Sequence, residues 1–246
     1  MDYDWEAVHQ VLETESETTQ CYVVCSSPWG GGEIVGRLLR MTERCGLPHY
    51  FFHDNEHTRA LLQHSYSGEA TEPINYVQYL KDLQLQKTSA NGVFGLLAYP
   101  AQVAEHTLLL DTLSNVKWIV IRRKDAPAQA VDAVHMAEVF QKEEGAEIEY
   151  AYGRLIDCFT ALMKEELILR RYVLSKPSVL ELQYDDVVRT PLVELNKILS
   201  FLDLKPVSKK VFEEYNFLLE EDEHRALVSD RFRNILIQKK ILREPR

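Results

Sequence analysis

CYVVCSSPWGGGEIVGRLL, residues 21–39, is the stretch whose reading decides the fold. Cys21-Tyr22-Val23-Val24-Cys25 has the length and apolar composition of a fully buried strand. Ser26, Ser27, Pro28 and the glycines Gly30, Gly31 and Gly32 then interrupt it. From Ile34 the period becomes helical, with Ile34, Val35, Leu38, Leu39 and Cys45 on one face. Strand, glycine-rich turn and helix together aim backbone N–H groups and a helix dipole at an anion. The other reading is a tight turn that simply needs glycine.

Two familiar phosphate loops do not fit. A G-x-G-x-x-G fingerprint begun at Gly30 and Gly32 needs its third glycine at Val35, and Gly36 comes one residue late. Gly31 to Gly36 has Walker A spacing but continues Arg37-Leu38, without the lysine and the magnesium-binding hydroxyl.

Further strands are expected at Gly92–Leu97, at Lys117–Ile121 and over Ser178–Tyr184. Amphipathic helices are expected at Val103–Leu113, after Asp125 with Pro127 in the first turn, over about 148–174, and from Thr190-Pro191 to Pro206. Strands alternating with helices predict an α/β domain, a parallel central sheet flanked by helices. Ligands of such sheets bind beyond the carboxyl ends of the strands, which puts Ser26–Gly32 and Arg122–Lys124 on one rim. Residues 1–18 read as a short acidic helix, 55–91 as a lid or insertion with a helix at Ile74–Gln86, and 207–246 as a helical tail on a single domain spanning 1–246.

The chain has 246 residues, 46% of them hydrophobic, enough for a full core. Its net charge of -10 argues against nonspecific nucleic-acid binding, which needs a basic face. The four cysteines form no C-x-x-C and read as reduced core residues rather than metal ligands. No basic-then-apolar leader and no run long enough for a membrane span is visible, so the expected location is cytoplasmic.

Four stretches in order, CYVVCSSPWGGGEIVGRLL, GLPHYFF, GVFGLLAY and WIVIRRKDAPAQAVDAVHMAEV, resemble the bacterial carbohydrate sulfotransferases typified by trehalose 2-sulfotransferase. Weaker matches follow at LELQYDDVVRTPLVELNKILSFLDL and SDRFR. The resemblance implies a P-loop NTPase-like sulfotransferase fold that moves a sulfo group from 3′-phosphoadenosine 5′-phosphosulfate (PAPS) to a hydroxyl of a small molecule or carbohydrate, without a metal. By the same analogy a homodimer is the default expectation.

Carried over residue by residue, the resemblance gives Ser26, Ser27, Gly30, Gly31 and Gly32 to the 5′-phosphosulfate and Arg123 to the 3′-phosphate, with Arg122 and Lys124 as compensating cations. It also exposes replacements. Pro28 stands where the family has a loop arginine, Gly31 and Gly32 stand for hydroxyl residues, Ala128 and Asp132 for serines, Leu97 for a lysine, and Tyr50 for the carboxylate base. The family's basic C-terminal loop falls at about 218–222, which is acidic here. His49 or His53, flanking Tyr50, would then take the proton. Each also reads as a packed or surface histidine. Glu33 would repel a phosphosulfate if it pointed inward. Each missing preorganised donor costs on the order of 10²–10³ in rate. Three readings therefore stand: a sulfotransferase with shifted ligands, a non-catalytic relative retained to bind a partner protein, and a protein holding another anion on the same amides.

Overall fold

The structure is a computed structural model that describes residues 17–52, 56–67, 73–141, 151–213 and 223–242. Four strands, β1 (Gln20–Ser26), β2 (Val93–Ala98), β3 (Lys117–Arg122) and β4 (Val179–Gln183), form one sheet in the order β2-β1-β3-β4. Every pairing is parallel, with Tyr22 opposite Gly95 and Lys117, and Arg122 opposite Gln183. The glycine-rich turn leads from β1 into α1 (Gly32–Arg40). Helices α2 (Glu56–Tyr66) and α3 (Tyr76–Lys87) precede β2, and α4 (Pro100–Glu105) and α5 (Thr107–Leu110) follow it. After β3 come α6 (Ala126–Gln141) and α7 (Tyr152–Tyr172). Beyond β4 lie α8 (Tyr184–Arg189), α9 (Pro191–Phe201), α10 (Lys209–Glu213) and α11 (Glu223–Gln238).

Strand alternation divides the core. Tyr22, Val24, Ile119, Ile121 and Leu182 face Val35, Leu38 and Leu39 of α1 and Leu195, Ile198 and Leu199 of α9. Val23, Cys25, Phe94, Leu96, Trp118 and Val120 face the other way, onto Leu80 and Leu83 of α3, Val103 of α4 and Leu169 of α7. A third cluster joins Val131 and Val134 of α6, Phe159 of α7 and Phe232 of α11. Opposite Tyr22, any side chain at position 95 would land on the phenol ring, whose Oη donates to the Cys45 carbonyl at 2.7 Å. The small residue in β2 is what lets a large one sit inside β1.

The parallel sheet and its flanking helices match the expected fold class. Several boundaries differ, for local reasons. Helix α1 ends at Arg40 instead of reaching Cys45, because Thr42 Oγ1 donates to the Leu39 carbonyl and Glu43 turns left-handed at φ 57°. Cys45 is still buried in the same cluster. The helix expected at 103–113 starts earlier, with Pro100 in its first turn and Gln102 Oε1 accepting from the Tyr99 amide, and breaks at His106. Tyr184, expected to close β4, instead opens the short helix α8, with Asp185 and Asp186 in its first turn. Within the stretch read as a lid, α3 carries Leu80 and Leu83 into the core under β2. Among the described residues no helix is long and apolar enough to cross a membrane. The reading of 1–18 as a helix falls almost wholly outside the described residues, as do His53 and positions 218–222.

Candidate functional site

The strand order fixes where a site belongs. In a sheet ordered β2-β1-β3-β4 the chain leaves β1 toward one edge and β3 toward the other, so a crevice opens between the carboxyl ends of β1 and β3. Ser26 is opposite Ile121 in that register, which brings the loop after β1 beside Arg122 and Arg123. The expectation of one shared rim is met by the backbone.

The loop itself is turned inward. Ser27-Pro28-Trp29-Gly30 forms a reverse turn in which the Gly30 amide donates to the Ser27 carbonyl at 2.9 Å. Trp29 is left-handed at φ 59°, a conformation that usually selects glycine, and its indole is 37% exposed. Gly31 is left-handed too, at φ 99°, and opens α1. The Gly32 amide donates to Ser26 Oγ at 3.1 Å. Two of the three glycine amides expected to face an anion are thus committed to the loop's own oxygens, and all three glycines are buried. Gln129 of α6 clamps the turn from outside, its Nε2 donating to Ser27 Oγ at 2.8 Å and to the Pro28 carbonyl at 2.6 Å.

Other side chains fill the space around the glycines. A methyl group on Gly32 would strike Ser26 Oγ and the Tyr50 phenol oxygen. One on Gly31 would lie 2.8 Å from Cδ2 of Tyr184. The Arg123 guanidinium stacks on that same Tyr184 ring, 4.4 Å from its centre, and Nη1 pairs with Asp132 at 2.6 Å. Arg122, expected as a compensating cation, is paired with Glu166 and Glu181 instead. Lys124 is exposed. Glu33 turns away from the loop to Arg40 at 2.7 Å, which answers the repulsion expected of it.

Of the candidate bases, His49 and Tyr50 are no more available. His49 is 2% exposed, and its Nδ1 accepts from the Tyr50 amide at 2.8 Å, so that nitrogen is not open to a substrate proton. Burial pushes the Tyr50 phenol well above the usual tyrosine range, with neighbouring Tyr99 adding to the effect. The two rings stack with centres 4.5 Å apart, and burial likewise holds Tyr99 at about 12. A neutral, buried phenol is a poor proton acceptor. Sequence reasoning missed Gln129, Tyr99 and Tyr184. Acidic Asp185-Asp186 was a readable helix-start signal for Tyr184, whereas nothing local marks Gln129 as the partner of Pro28.

As arranged, these residues do not fit the phosphosulfate of PAPS. The Gly30 and Gly32 amides are bonded within the loop, Arg123 is paired with Asp132, and the Tyr184 ring lies against Gly31.

No protein-family model matches the sequence, and no curated protein matches it either. Solved structures do resemble it. A sulfotransferase from Alicyclobacillus acidocaldarius is 13% identical and matches at a TM-score of 0.50 over 89% of this chain and 96% of its own. The sulfotransferase domain from the curacin biosynthetic pathway is 19% identical, with a TM-score of 0.48 over 86% and 83%. Mouse sulfotransferase SULT7A1, complexed with PAP, is 13% identical, with a TM-score of 0.48 over 91% and 75%. At such identities the likeness is one of architecture: this chain has the sulfotransferase fold.

Proposed function

We propose that this protein is a sulfotransferase-fold binding protein that does not itself transfer a sulfo group. The observation that carries the reading is the state of the loop after β1, where Ser26, Ser27, Tyr50 and Tyr184 occupy the surroundings of Gly30–Gly32. Sulfo transfer spreads negative charge over the moving group and the bridging oxygen. It therefore needs donors and cations that are preorganised and unengaged at that point. Here Arg123 is held by Asp132, Arg122 by Glu166 and Glu181, and the buried His49 and Tyr50 offer no accessible base. Losing one such donor costs on the order of 10²–10³ in rate, and several are missing together.

A second reading, PAPS-dependent transfer to a hydroxyl of a small molecule or carbohydrate, draws support from the placement of the loop and Arg123 on the β1/β3 rim. One pair of measurements separates the two. The wild-type protein is titrated calorimetrically with adenosine 3′,5′-bisphosphate, then incubated with PAPS and a panel of sugars and alcohols while release of the bisphosphate is followed. The expected result is no binding heat up to millimolar nucleotide and no release above buffer. Turnover with any acceptor establishes the second reading and removes the first.

A further inference from the structure

We infer that Asn91-Gly92 is a site of spontaneous covalent modification, at which Asn91 loses its side-chain amide to give aspartate and isoaspartate, and that the turn holding these two residues governs the rate. The inference stands apart from the question of sulfo transfer.

The turn explains why a glycine follows this asparagine. The Gly92 amide donates to the Ser89 carbonyl at 2.8 Å, and the Ser89 amide donates to the Val93 carbonyl at 3.0 Å. Neither Ala90 nor Asn91 is left-handed, whereas Gly92 is, at φ 79°. This is a type I turn closed by a left-handed glycine, the form taken by common three-residue hairpin loops. Glycine is needed there for a second reason, because a Cβ would lie 2.6 Å from Thr19 Oγ1 and 3.0 Å from the Glu17 carbonyl oxygen. Every other asparagine in the sequence is followed by a residue with a side chain, as Asn115 is by Val116. Asn91 alone has a following amide nitrogen that no Cβ shields, and it is exposed to water.

The reaction consumes only water. Solvent base takes the Gly92 amide proton, the nitrogen attacks Cγ of Asn91, and the Cγ–Nδ2 bond breaks with release of ammonia. Water then opens the five-membered imide. Cleavage of the new bond to Cγ leaves aspartate at position 91. Cleavage on the main-chain carbonyl side leaves isoaspartate, with the chain rerouted through Cγ and longer by one methylene.

The folded turn opposes the first step. The proton that must leave is the one donated to Ser89, and the nitrogen must turn toward the side chain for the ring to close. Gly92 is also tied on its far side, where its carbonyl accepts from the Thr19 amide at 2.9 Å and the Gln20 amide at 3.2 Å, at the start of β1. Ser89 is 1% exposed, with its hydroxyl 3.1 Å from both the Arg44 and the Val93 carbonyls. Reaction therefore waits for this corner to open, a local event that costs less than global unfolding. Isoaspartate then keeps the corner open, because the lengthened main chain no longer spaces Ser89, Gly92 and Val93 for their two bonds. The pairing of Gln20 with Val93, first in the β1–β2 ladder, is loosened with it.

The test incubates the full chain at mildly alkaline pH and body temperature for days, native and in concentrated urea. Peptide mapping by mass spectrometry follows Asn91, and an isoaspartyl methyltransferase counts isoaspartate. In urea Asn91 should convert well ahead of Asn115. In the native protein it should convert at least about tenfold more slowly than in urea, as for a corner open no more than about a tenth of the time. Ser89→Ala, checked by thermal unfolding, should close much of that gap. In the native isoaspartate fraction, separated by ion exchange, the Thr19 and Gln20 amides should exchange with deuterium faster than in wild type, whereas Asn91→Asp should exchange like wild type. Equal rates in the native and urea samples overturn the gate. Absence of product at Asn91 in the native protein, over a span that converts the urea sample fully, overturns the site. Should Ser89→Ala fail to fold, wild type in rising sub-denaturing urea decides: a rate that climbs before the global transition supports local opening, and one that rises only with it overturns the role of the turn.

Discussion

The interior of the sheet and the rim at its carboxyl end are made from adjoining residues of the same strands, yet they are held by different physics. Val24, Ile119 and Leu182 need only apolar neighbours, and any well-shaped partner from α1 or α9 serves. Two to four residues further on, Ser26, Arg122 and Arg123 are polar, and each is satisfied by particular groups on other elements. Ser26 takes the Gly32 amide, Arg122 takes Glu166 and Glu181, and Arg123 takes Asp132 and Tyr184. Asp125, which caps α6 through the Ala128 amide, is matched by Arg233 of α11. The rim of this fold is ordinarily where ligands are met; here its polar groups meet one another.

The contrast predicts a gradient of effects. Ile119→Ala, in the middle of β3 and fully buried, should cost about 4 kcal/mol and lower the melting temperature by on the order of 10 °C. A loss as small as that of a rim substitution would erase the distinction. Gln129→Ala removes both clamps on the loop and leaves the Pro28 carbonyl without that donor, for a cost of about 1.5 kcal/mol in chemical denaturation. Trp29→Gly should go the other way and stabilise by about 0.5 kcal/mol, because glycine accepts the left-handed backbone that Trp29 holds under strain. Trp29→Ala, which keeps a Cβ, should show no such gain; equal gains would mean that removal of the indole and not relief of the backbone is responsible.

The opposite end of the sheet supplies an effect that depends on pH. Lys87, at the end of α3, is 2% exposed, and burial lowers its ammonium from 10.5 to about 8. Between those values the unfolded chain holds more protons than the folded one, so this lysine's contribution to stability rises with pH from about 8 to 10.5. Below that window the cost of burying its charge is present in full. The stability of wild type relative to Lys87→Met should therefore climb across the window, measured by denaturant titration at each pH. A flat difference would show that the buried amine keeps its proton.

These two kinds of region also differ in how readable they were. The four strands announce themselves in runs such as Val23-Val24 and Ile119-Val120-Ile121, because burial on both faces demands apolar residues whatever the partner. The position of the glycine turn and of Arg123 on a shared rim followed from the same pattern. What each rim residue touches did not. Arg123 looks like a phosphate ligand until Asp132 and Tyr184 are seen beside it, since a sequence states the charge of a group but not its neighbour. His49 looked like a base between aromatic residues, and those residues are what bury it. Tyr184 was hidden for a further reason: a six-residue helix straight after a strand is too short for its period to register.

The placement of β1 has a consequence for the chain's birth. It is made well before the strands it pairs with, since Gln20 waits for Val93 and Tyr22 for Lys117. At ordinary translation speeds that leaves YVVC uncovered for on the order of ten seconds on the ribosome. Nascent copies crowded on one message therefore carry a naked apolar ribbon, and chaperone supply, more than final stability, should govern how much of this protein a cell can make.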